Sequence, residues 1–135
     1  MGVLIDNSVL VAGEKAGMPL EELHGTRPIE DCFISTVTAS ELLVGVHRAI
    51  NPVVRTRRSL RTEASLVYFR VLPVIMPTAR VRARIAAELS ALGTPIGQND
   101  LWIAASALTH GLAIATLNVR EFERVPGLTV ERWSL

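Results

Sequence analysis

Asp6, Glu41, Asp100 and Asn118 each stand where an apolar run meets a polar residue or where a helix is expected to open, and they span most of a 135-residue chain. Such residues do chemistry only if the fold gathers them. Three carboxylates within about 4–6 Å of one another cannot all stay ionised without a compensating cation. Oxygen donors with no cysteine or histidine among them select a hard divalent ion, Mg2+ or Mn2+, over zinc. Such an ion activates water and stabilises charge on a phosphoryl oxygen, the chemistry of metal-dependent nucleases. Each residue also has a structural use. Asp6 can cap a helix, Glu41 can close a capping box with Thr38, Asp100 can complement a helix dipole, and Asn118 can cap a helix with Glu121 three residues on.

What must position these residues is a parallel sheet. The run Gly2 to Asp6 is short, apolar and stopped by a carboxylate, which suits a buried strand, and Asn7 or Ser8 can cap a helix over Val9 to Ala16. A polar stretch without clear periodicity follows to Asp31. Cys32 to Ser35 reads as a second strand, and Thr38 to Glu41 as the capping box opening the next helix, which Asn51-Pro52 breaks. Pro52 to Arg70 reads as a helix with Pro in its first turn, and Val71 to Ile75 as a third strand. From Pro77-Thr78 an amphipathic helix carries Val81, Ile85, Leu89 and Leu92 at steps of three and four and ends at Gly93. Asn99 is expected to cap a helix over Asp100 to His110, stopped by Gly111. Leu112 to Leu117 then forms a strand, Asn118 caps a short helix containing Glu121 to Val125, and Leu128 to Glu131 completes a fifth strand.

Strands alternating with helices imply a three-layer α/β/α sandwich around a mainly parallel sheet. In such a sheet all strands end on one edge, where ligands bind. Asp6, Glu41 and Asn118 follow strands directly or nearly so, while Asp100 reaches that edge only if the Gly93 to Asn99 loop carries it there.

Asp6-Asn7-Ser8, Thr38-x-x-Glu41-Leu42, Asn99-Asp100-x-x-Ile103-Ala104-Ala105-x-Ala107 and Thr116-x-Asn118-x-x-x-Phe122 occur in that order. This succession resembles the PIN-domain family, most closely its small bacterial VapC-type toxins of toxin-antitoxin modules, over about residues 3 to 131. The resemblance implies an α/β/α endoribonuclease whose acidic pocket binds Mg2+ or Mn2+ and hydrolyses RNA. Asp6, Glu41 and Asp100 match the acidic core, and Ser8 and Thr116 the hydroxyl positions. Asn118 stands where many relatives have aspartate, which removes one negative charge; Glu121, one helical turn on, is the nearest substitute. The resemblance also implies a homodimer, silenced by a cognate antitoxin that covers the active-site groove. Between Pro52 and Arg70, Arg55, Arg57, Arg58 and Arg61 lie near Leu60, Leu66, Val67, Tyr68 and Phe69, so one face could grip RNA phosphates and another bury against a partner.

Composition narrows the alternatives. At roughly 100–200 residues per domain, residues 1–135 are expected to form a single domain. No run of about 18 apolar residues offers a membrane span. Asp6 interrupts the first apolar run before it reaches the roughly 7–15 residues of a secretory h-region, so a cytoplasmic location is expected. Cys32, the lone cysteine, excludes an internal disulfide and paired-thiolate zinc, and its apolar neighbours mark it as core. The net charge of +1 indicates no polyanion partner by itself, yet 13 of the 14 basic residues are arginine. A phosphatase of the haloacid-dehalogenase type needs an aspartate where Ser8 stands, and a receiver domain needs a lysine late in the chain, where none occurs. No G-x-G-x-x-G or P-loop motif is present. The alternative from another class is a catalytically inactive PIN-like module that binds RNA or protein through the same groove.

Overall fold

In the computed structural model, which describes residues 1–135, a five-stranded, all-parallel sheet runs through the middle of the molecule. Its strands are β1 (Val3–Ile5), β2 (Cys32–Ser35), β3 (Arg70–Leu72), β4 (Ala113–Thr116) and β5 (Val130–Arg132), in the order β3-β2-β1-β4-β5. β1 is central, with Leu4 opposite Phe33 on one side and Ile114 on the other. β1 and β4 are buried along their whole length, which explains the apolar runs Val3–Ile5 and Ala113–Ala115: a strand covered on both faces has no solvent side to make polar, and Thr116 at the end of β4 is buried with its hydroxyl bonded.

Side-chain alternation divides the core in two. Val3, Ile5, Cys32, Ile34, Ala113 and Ala115 point to one face. There they meet Val9 and Leu10 of α1 (Asn7–Lys15), Leu23 of α2 (Leu20–Leu23) and Leu42 of α3 (Thr36–Arg48). Phe69, just after α4 (Pro52–Tyr68), completes that layer. Leu4 and Ile114 point to the other face, against α5 (Met76–Ala91), α6 (Gln98–Thr109) and α7 (Val119–Phe122) through Ile85, Leu89, Ile103 and Phe122. The α/β/α sandwich expected from the alternation is thus the one observed.

Several boundaries differ from the sequence reading. The polar stretch before Asp31 contains α2 and a 3-10 turn at Ile29–Asp31. α3 begins at Thr36, capped by Ser35, whose hydroxyl accepts from the Val37 amide at 3.0 Å. Thr38 therefore lies inside the helix and forms no capping box with Glu41, which falls in the second turn. Likewise α6 starts at Gln98 with Gly97 at its cap, so Asn99 and Asp100 are both inside the first turn. In both cases an earlier residue with extended backbone took the cap position, and a polar residue two or three places later was free for other work. The helix expected to run to Arg70 stops at Tyr68, and Arg70 joins β3, which ends at Leu72. Leu92 is exposed at the end of α5, outside the apolar stripe of Ile85 and Leu89.

Candidate active site

β1 connects to β2 on one side and β4 to β5 on the other, so the carboxyl ends of β1 and β4 flank a crevice that no connection covers. This is the switch point at which open parallel sheets bind ligands. Asp6 leaves β1 at this point and is 3% exposed. It is also the N-cap of α1, accepting from the Ser8 amide. The structural and chemical uses of Asp6 therefore coexist, because all its bonds from protein fall on one oxygen. Oδ2 accepts from the Ser8 hydroxyl at 2.7 Å, the Thr116 hydroxyl at 2.9 Å and, more weakly, the Ser8 amide at 3.4 Å. Ser8 Oγ accepts from the Leu117 amide and Thr116 Oγ1 from the Asn118 amide, so the two hydroxyls tie the ends of β1 and β4 together.

A cavity of about 380 Å3 opens here, lined by Asp6, Ser8, Glu41, Asp100 and Asn118, with Asn7 and Lys15 at its side. Five of the sequence-selected residues, Asp6, Ser8, Glu41, Asp100 and Asn118, thus share one space. Thr116 is buried just behind it, and Glu121 stands beside Asp100. Asn118 sits at the N-cap of α7 but its side chain makes no capping bond, which leaves its amide free at the cavity.

The electrostatics follow from that crowding. Burial, the adjacent Glu121 side chain and the charges of Asp6, Glu121 and Glu41 push the Asp100 carboxyl up to about 8. Glu41 is also raised, by burial first and by Asp6, while the side chain of Asn99 pulls the other way. Asn99, expected only as a cap, is therefore a neighbour of Glu41 that spacing did not single out; its place in the first turn beside Asp100 was the available signal.

The expected acids gather at one cavity, but no three acidic, histidine or cysteine side chains form a ready-made cluster for one ion. Glu41 lies a turn further along α3 than the capping box implied. The donor set nonetheless fits a hard cation. Glu41 Oε1 and Asn7 Oδ1 are buried oxygens without any hydrogen-bond partner. Mg2+ keeps several waters and is held by one or two carboxylates, so a closed three-carboxylate cage is not required.

The arginines of α4 are put to different uses. Arg55 donates to the carbonyls of His47 in the last turn of α3 and of Ala49 just after it, Arg58 to Gly45 and Arg61 to Met18. Arg55 thus fastens α4 to the last turn of α3, and Arg61 fastens it to the turn between α1 and α2, so these two of the four arginines expected to meet RNA or a partner have bonds within the chain. Arg57 makes no such bond and lines a second cleft together with Arg58. Val53, Leu60 and Val67 recur at seven-residue steps on α4 and are exposed, whereas Phe69 is core. His24 is bonded to the Arg27 carbonyl and the Tyr68 hydroxyl, and burial lifts the Cys32 thiol to about 11, which makes it inert.

A model of the PIN domain matches residues 3–128. The chain belongs to the PIN domain family. This PIN domain is 34% identical over 130 residues to Ribonuclease VapC1 of Rickettsia felis, covering 96% of this chain and 95% of the relative. It is 37% identical over 100 residues to the tRNA(fMet)-specific endonuclease VapC of Salmonella typhimurium, covering 74% of each. Its structure is similar to that of a DNA-bound VapBC from Salmonella typhimurium, with a TM-score of 0.89, 29% identity and 99% of both chains covered.

Proposed function

We propose that this PIN domain is a metal-dependent endoribonuclease, the toxin of a VapBC-type module, acting in the cytoplasm as a homodimer and restrained by a cognate antitoxin. The observation that carries the catalytic reading is the single cavity at the sheet's carboxyl edge that Asp6, Glu41, Asp100 and Asn118 share. Relatives named as VapC ribonucleases and the similarity to a VapBC structure support the choice of RNA and of an antitoxin.

In this reading Asp6, Glu41 and Asp100 hold Mg2+ or Mn2+, directly or through water. When bound, the ion supplies the Lewis acid that activates water and offsets charge gathering on the phosphoryl oxygens. The chain's own residues do the rest. Ser8 and Thr116 fix Asp6 through Oδ2 and leave its other oxygen to face the ligand. Glu41, which lines the same cavity as Asp6, would accept the proton of the attacking water. Asn118 presents an uncharged amide to a phosphate oxygen where an aspartate would repel it, and Glu121 acts on the site through Asp100.

The test is cleavage of end-labelled RNA with Mg2+ and with EDTA. Wild type is expected to cleave only with the ion, and Asp6→Asn and Asp100→Ala to lose about 100-fold or more in rate while their thermal unfolding stays cooperative. Retained cleavage in both variants would end the proposal, and RNA or antitoxin binding without any turnover in wild type would favour the non-catalytic module instead.

A further inference from the structure

Beside the acidic cavity lies a larger cleft of about 790 Å3 between α1, α3 and α4. It is continuous with the first, since Asn7, Val11, Lys15 and Glu41 line both. Its charge is of the opposite kind. Lys15, Arg48, Arg57 and Arg58 line it against two carboxylates, Glu14 and Glu41, in a chain whose net charge is only +1.

We propose that Lys15, Arg48 and Arg57 form a track that seats the phosphate backbone of the RNA strand and feeds it to the acidic cavity. This rests on the hydrolase reading above and names the substrate contacts of that same site. All three side chains are exposed. None enters an ion pair; the pairs in this chain are Arg27–Glu131 and Arg84–Glu88. Arg58 borders the same cleft with one nitrogen tied to the Gly45 carbonyl at 2.9 Å, so its charge is held in place. Lys15 and Arg48 close α1 and α3, where a cation also suits the helix dipole, but Arg57 sits within α4 and has no such structural use.

The physical need is plain. A polyanion approaching Asp6, Glu41 and Asp100 is repelled, and a neighbouring row of unpaired cations offsets that repulsion while fixing the strand's register. Contacts of this kind to phosphate position a nucleic acid without reading its bases. Arg55 and Arg61 are excluded from the track because backbone carbonyls already hold them.

The experiment measures binding apart from chemistry. A fluorescein-labelled single-stranded oligoribonucleotide is titrated with the full chain in EDTA, over about 50 to 200 mM KCl, by anisotropy. With roughly 0.7 of slope per phosphate contact on single strands, the variant carrying Lys15→Gln, Arg48→Gln and Arg57→Gln is expected to lower the log K against log salt slope by about 2. Its affinity at low salt falls at least tenfold and its melting temperature holds. Arg55→Gln leaves the slope unchanged. An unchanged slope and affinity in the triple variant overturns the track, as does a wild type that binds no RNA. So does a triple variant that keeps its RNA affinity and loses only antitoxin binding, which would make the cleft a protein seat. A wild type that binds with the expected slope but never cleaves with Mg2+ would strike down the hydrolase reading and leave the track standing.

Discussion

Ser8 and Thr116 direct their hydroxyls to the same oxygen of Asp6, and each also accepts a backbone amide from the segment after β4. Thr116→Val keeps the shape and removes both bonds. With the Asn118 amide left unpaired in a part-buried setting, a loss of about 1–3 kcal/mol is expected in urea unfolding, and an unchanged midpoint would show that the link contributes nothing. Asp100 gives a second prediction. Its carboxyl is raised to about 8 in the folded, ion-free protein, against an ordinary value near 4. Between those values the folded state keeps a proton that the unfolded chain has released, so stability is highest below about pH 4 on this account and falls as pH rises toward 8. Glu41, raised as well, adds to the same trend. Melting temperature in EDTA should therefore drop between about pH 5 and 8 in wild type and drop less in Asp100→Asn; a curve that climbs through this window would contradict the crowding of carboxylates.

Helix ends decide which polar residues remain available for chemistry. Ser35 and Gly97 take the cap positions of α3 and α6, which leaves Glu41 for the cavity and Asn99 as its neighbour in the adjoining cleft. Gly111 follows α6 with φ +64, a left-handed turn that returns the chain into β4 and so sets where Thr116 arrives. Side chains with a Cβ resist that conformation, and Gly111→Ala is expected to lower stability by about 1–2 kcal/mol, read as a shifted denaturation midpoint with an unchanged slope. α4 shows the same economy in its arginines. Arg55 covers the carbonyls of His47 and Ala49 at the end of α3, so Arg55→Met should cost about 1 kcal/mol in stability with RNA affinity intact. Weakened RNA binding with unchanged stability would return Arg55 to the nucleic-acid surface.

Across the whole molecule, the order β3-β2-β1-β4-β5 creates the site, because only at the junction of β1 and β4 do the connections part. Ile114, fully buried next to Leu4 at that junction, supports both strands. Ile114→Ala is expected to cost about 2–5 kcal/mol, and a value near zero in calorimetry would mean that the second core layer is not what holds the strands together. Much of this was legible beforehand. The apolar runs at residues 3–5 and 113–115 announced buried parallel strands, and a carboxylate ending the first announced the edge, since burial on both faces disfavours a charged residue until the strand stops. Cap positions were not legible where several candidates compete, as at Ser35 to Thr38 and Gly97 to Asn99, because local backbone geometry chooses among chemically similar residues. Nor could the separation of the carboxylates be read, or the division of the arginines into fasteners and free cations. Spacing along α4 is the same for Arg55, Arg57, Arg58 and Arg61 whichever carbonyls surround them. Residue types determined the layers, their order and the acids that could meet; only packing of helix against helix decided how near those acids come and which charges are left over for a ligand.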